Sequence, residues 1–173
     1  GDEENLLGLN REIRNSFFYN RGKQKHSVTY TFINNRVKNL LTVGSQENLN
    51  VSHQMQYAHL FKKTWLFSAF AKTIDSKSES ENFAVRNFQI EGYLLKPKIA
   101  YLFSQNTSLD FFYEFQNKEN TILDFELLQQ QRLGTSFTYV GKKHFTLNGE
   151  LSFYNNDFTG NATSAVGFQM LEG

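Results

Sequence analysis

Apolar and polar residues alternate along most of this chain. In EGYLLKPKIAYLFS every second residue is apolar: Tyr93, Leu95, Pro97, Ile99, Tyr101 and Phe103. SLDFFYEF puts Leu109, Phe111, Tyr113 and Phe115 on one face, with Asp110 and Glu114 on the other. LLQQQRLGTSFTYV sets Leu133, Thr135, Phe137 and Tyr139 against Arg132, Gly134, Ser136 and Thr138. KHFTLNGELSF sets Phe145, Leu147, Leu151 and Phe153 against His144, Thr146, Asn148 and Glu150. A period of two, sustained over such stretches, predicts long strands with one apolar and one polar face. The same rule predicts a strand over 10–19 carrying Ile13, Phe17 and Tyr19, and another with Val28, Tyr30 and Phe32 in phase. Val51, Met55, Tyr57 and Phe61 share a phase in a further strand, and TWLFSAFAKT accepts either phase. NFAVRNFQIE enters the strand at Glu91 through one phase change, which predicts a bulge. The expected total is about eight strands, near the minimum for closing a barrel.

The connections carry a second pattern. Tight turns are predicted near 20–23, 62–63, 104–107 and 141–142. Long polar loops are predicted over 34–50, over 75–82 and from 154 onward, with a shorter hairpin tip at 117–121. Short turns at one end and longer loops at the other fit an antiparallel up-and-down transmembrane β-barrel, or part of one. Pro97 lacks a ladder donor, so its strand is expected either to bulge there or to lie at an edge.

Composition sharpens this reading. With 18 Phe and 8 Tyr the chain is 16% aromatic, yet its mean hydropathy is −0.51, as face-alternating strands with polar connections require. No run of apolar residues is long enough for a transmembrane helix, which leaves membrane crossing by strands open. A length of 173 residues fits a single domain, read as one β-barrel domain over 1–173. A net charge of +1 gives no electrostatic case for nucleic acid, and the lack of cysteine excludes disulfide and thiolate chemistry. GDEENLLGLN shows no basic and apolar leader pattern.

On the barrel reading, Lys96, Lys98, Asp110, Glu114, Arg132 and Glu150 face the lumen. Tyr101, Phe103, Phe111, Tyr113, Phe137, Tyr139, Phe145 and Phe153 face lipid or form an interfacial girdle, with Tyr101, Phe103, Tyr139 and Phe145 beside tight turns. Pairing across 104–107 would bring Glu114 opposite Lys96 or Lys98, and pairing across 141–142 would bring Arg132 near Glu150 or Ser152. Such pairs suit a narrow lumen filled by side chains.

KPKIAYLFSQNTSLDFFYEFQN, RLGTSFTYV, and FTLNGELSFYNNDFTGN followed by GFQMLEG resemble the C-terminal β-barrel of large outer-membrane proteins of the Bacteroidota, over about residues 86 to 173. The likeness is one of pattern and phrase, and it supplies no active-site residue. It implies a Gram-negative outer-membrane location and a non-enzymatic role in envelope transport, or in protein secretion and surface assembly. In that family the chain continues beyond such a segment into further strands, so this sequence is expected to be a piece of a larger protein. The expected partners are the lipid bilayer and either other envelope subunits or further strands of the same chain.

Catalytic chemistry has little to stand on. No nucleophile elbow, zincin helix, P-loop or dinucleotide fingerprint occurs. His53 and His59 lie about 20 Å apart on an extended strand, too far to share one metal, and His26 and His144 are read as solvated or girdle residues. Asp110 and Glu114, four apart on a strand, are too distant for an acid/base pair. No catalytic residue, metal or cofactor is therefore expected. The rival class is a soluble β-sandwich or lipocalin-like barrel that binds a glycan or lipid, with its aromatics turned inward. An outer-membrane barrel enzyme ranks last.

Overall fold

The computed structural model describes residues 5–20, 26–84, 87–122, 126–141, 145–161, 166 and 170. They form eight strands: β1 (Asn5–Tyr19), β2 (His26–Leu41), β3 (Gly44–Phe61), β4 (Trp65–Ser80), β5 (Phe88–Ser104), β6 (Thr107–Asn120), β7 (Glu126–Val140) and β8 (Thr146–Thr159). Each pairs antiparallel with its sequence neighbours, giving one up-and-down sheet in the order β1 to β8. The sheet is open. Among the described residues β1 pairs only with β2 and β8 only with β7, so the closed form of the expected barrel is not made. The turns expected at 20–23 and 141–142, His144 and most of GFQMLEG lie wholly or partly outside the described residues.

The largest departure from the sequence reading concerns the loops. Residues 34–50 form no long connection: β2 and β3 run through them and meet in a hairpin where Leu41 pairs with Gly44 across Thr42-Val43. Asp75 to Ser80 belong to β4, Asn117 to Asn120 to β6, and Tyr154 to Thr159 to β8. These extensions are mostly polar, with only scattered apolar residues such as Leu40, Leu49 and Phe158, so hydrophobic periodicity has little contrast to report there. Backbone pairing and polar side chains hold them. Arg36 meets Glu47 at 2.7 Å, and Ser76 Oγ donates to Asn50 Oδ1 at 2.6 Å. The tip at Thr42-Val43 is fastened to the next hairpin: Glu81 N donates to Ser45 O at 3.0 Å, and Asn82 Nδ2 donates to Val43 O. Gly44 turns back with φ 118, in the left-handed region that favours glycine.

Two local expectations are also corrected. Pro97 is neither at an edge nor at a bulge. Strand β5 is interior, Pro97 sits opposite Ala69, and the β5–β6 register is the same at Leu95–Phe115 and at Lys98–Phe112. Only the pairings of Lys96 and Pro97 lapse between those points, which accommodates the missing N–H within one ladder. The phase change in NFAVRNFQIE is no bulge either, because β5 begins only at Phe88, after a connection that starts at Glu81. The irregularity in β5 lies between Leu102 and Ser104.

The β3–β4 turn offers a stability test. Lys62 and Lys63 both hold positive φ, 49° and 60°, while Thr64 N donates to Phe61 O at 3.2 Å. A long side chain in the left-handed region is strained, and Asn-Gly fits two successive positive φ values better. Lys62→Asn combined with Lys63→Gly is expected to raise stability by about 1 kcal/mol, read as a higher urea midpoint. An unchanged or lower midpoint would refute the turn geometry.

Candidate functional site

The register sorts the side chains into two faces of opposite character. One face carries Tyr93, Leu95, Pro97, Ile99, Tyr101 and Phe103 from β5, and Leu109, Phe111, Tyr113 and Phe115 from β6. It continues with Leu133, Phe137 and Tyr139 from β7 and Leu147, Leu151 and Phe153 from β8. Toward β1 it takes in Trp65, Phe61, Tyr57, Met55, Tyr30 and Phe17. This apolar face is the exposed one: Phe111 is 53% exposed and Phe153 70%. Along β5 exposure alternates residue by residue, with the apolar positions open and Lys96 and Lys98 half-buried, so the sheet curls toward its polar side.

The apolar face has a boundary. Toward the Thr42-Val43 end it gives way to Arg36, Lys38, Glu47, Asp75, Lys77, Glu91, Glu119 and Asp157 at corresponding levels of the register. The apolar stretch of β5, Tyr93 to Phe103, spans about 34 Å of strand, or about 25 Å along the normal at the tilt usual in barrels. At the turn end the rings cluster. Trp65 and Tyr101 have centroids 4.7 Å apart, Tyr101 and Phe103 also 4.7 Å, and Tyr139 and Phe145 6.5 Å. All eight residues proposed from sequence for the lipid or girdle side, Tyr101, Phe103, Phe111, Tyr113, Phe137, Tyr139, Phe145 and Phe153, carry their rings with this apolar set.

Lys96, Lys98, Asp110, Glu114, Arg132 and Glu150 share the polar face, and the strand pairing brings them together in couples. Lys96 Nζ lies 2.9 Å from Glu114, Lys98 Nζ lies 3.1 Å from Asp110, and Arg132 pairs with Glu150. The Arg132 guanidinium also sits between two rings, 5.1 Å from the Phe112 centroid and 4.8 Å from that of Tyr154. Each cation–π contact adds about 0.5–1 kcal/mol. The ring of Phe112 in turn covers Gly134 on the neighbouring strand, where an added Cβ would meet it. A hollow of about 280 Å³ lies among Gln56, Phe70, Lys98, Glu114 and Arg132.

Sequence reasoning missed two features. The first is a small core at the far end of the polar face: Ile90 and Leu128 are buried beneath Val166 and Met170, with Phe88 and Phe158 packed around them. Val166 and Met170 are both helical and four apart, a spacing legible in the sequence but short against the strand signal. Beside this core Lys118 is buried and donates from Nζ to the Met170 carbonyl at 3.2 Å, while Asn120 Nδ2 donates to Glu126 Oε2 at 3.2 Å. Lys118 stands beyond the apolar band, since its strand neighbours Asn117 and Glu119 show polar side chains on the other face. Burial, and secondarily the Lys72 ammonium, lower its pKa from the ordinary lysine value.

The second is the pairing of histidines. His26 and His59 stack at the turn end of the apolar face, with rings 5.2 Å apart and their Nδ1 atoms 3.1 Å apart. His53 accepts or donates a 2.7 Å bond with the Tyr30 hydroxyl. Among the described residues no three His, Cys, Asp or Glu side chains gather as metal ligands. Compared with protein-family models, curated proteins and solved structures, the chain matches none, and its geometry alone carries a functional reading.

Proposed function

We propose that this chain forms wall strands of an outer-membrane β-barrel, a non-enzymatic envelope component serving transport, or protein secretion and surface assembly. The observation that supports it is the inside-out distribution of side chains: an exposed apolar band of bilayer height on one face, and ion-paired charges on the other. A water-soluble sheet buries the face that is open here. The total accessible surface, 11840 Å², also exceeds the roughly 8,700 Å² expected of a compact monomer of this mass. Lipid against the apolar band would cover much of the excess. The polar extensions beyond the band become hairpins standing in water, and the ring cluster at the turn end becomes the interfacial girdle.

On this reading the free edges of β1 and β8 pair with further strands, of the same chain or of a companion envelope subunit, because open edges are not tolerated in lipid. The net charge offers nothing to a nucleic acid. The test is folding with and without detergent. The chain is expected to aggregate in detergent-free buffer, to fold in micelles with a β-type circular dichroism spectrum, and to migrate on a gel at a position that depends on heating. A monodisperse β-protein in plain buffer would sink the proposal in favour of a soluble sandwich or lipocalin-like domain.

A further inference from the structure

The polar face holds a second hollow, of about 540 Å³, between the ion pairs and the small core at its far end. Its charges do not balance. Among the described residues three ammonium groups line it, those of Lys72, Lys96 and Lys118, against the one carboxylate of Glu114. Glu114 is already engaged by Lys96 at 2.9 Å. Among the described residues Lys118 is bound to a neutral carbonyl, that of Met170, and neither Lys118 nor Lys72 has a carboxylate partner. Two uncompensated cations therefore face one cavity and repel each other across it.

The neutral lining points the same way. Ser76 Oγ donates to Asn50 Oδ1, which orients the Asn50 amide so that its N–H groups remain to donate. Gln116 adds a second amide. Ile74, Ile90 and Leu94 supply apolar walls, near which charge–charge attraction is less screened than in open water. Donors and positive charge converging on one hollow, with the Glu114 carboxylate already neutralised by Lys96, describe a receptor for an anion with several acceptor oxygens.

We propose that this hollow binds a phosphate-type oxyanion between Lys72 and Lys118. The site belongs to the polar face whether or not the opposite face meets lipid, so it does not depend on the barrel reading. It fits a soluble anion better than a lipid headgroup, because the bilayer-like band lies on the other side of the sheet.

Titration of the folded full chain in neutral-detergent micelles with inorganic pyrophosphate, followed by calorimetry, tests it. Saturable binding with a Kd no weaker than about 1 mM is expected. Lys72→Gln should weaken it at least tenfold, Lys38→Gln on the other face should leave it unchanged, and added salt should weaken it. Lys72 makes no ion pair among the described residues, so its substitution leaves the fold intact. No saturable heat, or equal affinity in Lys72→Gln, overturns the proposal. So does a response only to phosphatidylglycerol added to the micelles, which would assign the phosphate to a lipid.

Discussion

Replacing Phe111 with arginine is expected to cost about 2–4 kcal/mol of unfolding free energy in lipid vesicles. Phe111 stands in the middle of the apolar stretch of β6, half exposed, with Ile99 and Thr135 as its ladder partners. If lipid covers this face, a guanidinium there enters hydrocarbon with no counter-charge in reach. The expected effect depends on depth. Glu119 lies on the same face of the same strand, beyond the apolar band, and Glu119→Arg should change stability by only about 0–1 kcal/mol. Urea unfolding of both variants in vesicles measures the difference. Equal small changes would show that the apolar band meets water or a tolerant surface, and would remove the main support for the membrane reading.

Gly92→Ala is expected to destabilise the sheet by about 1–3 kcal/mol or more, against the usual direction. In an ordinary strand alanine gains on glycine by about 0.5–1 kcal/mol, because it has less backbone freedom to lose. At Gly92 an added methyl would run into the Asn117 carbonyl oxygen and stand 3.0 Å from Lys118 Cα. These are backbone atoms of the paired strand, so the clash is relieved only by opening the β5–β6 ladder. Gly149 is the internal control: a Cβ there meets nothing within 4 Å, and Gly149→Ala should be neutral or slightly stabilising. The urea midpoints of the two variants should move in opposite directions. If both rise, the close approach at Gly92 is wrong.

Gly92 also indicates how the polar hollow is built. Backbone can approach this closely only where one side chain is missing, and Gly92 is the ladder partner of Lys118, at the edge of the proposed anion site. Beside the neighbouring hollow, which Phe112 and Arg132 line, the Phe112 ring lies over Gly134 and the Arg132 guanidinium contacts the rings of Phe112 and Tyr154.

The sequence by itself determined the strand pattern and the division of faces. Tyr93 to Phe103, Leu109 to Phe115 and Leu133 to Tyr139 alternate so regularly that a one-residue slip would exchange apolar and charged sides, and this holds the register wherever the faces differ. Pairing across 104–107 left Glu114 to Lys96 or Lys98, and the structure gives it Lys96; Arg132 has Tyr154 as its ladder partner and reaches along the strand to Glu150. Tertiary structure decided what lay beyond the contrast. Where the residues are mostly polar on both faces, at 34–50 and 75–80, alternation says little, and cross-strand hydrogen bonds with the Glu81 and Asn82 contacts make those residues strand. Pro97 could be placed only once its neighbours β4 and β6 were known. The histidine pair, the uncompensated Lys72 and Lys118, and the packing of Met170 on Leu128 join residues far apart in sequence. Pairing between strands, which no local period encodes, brings them together.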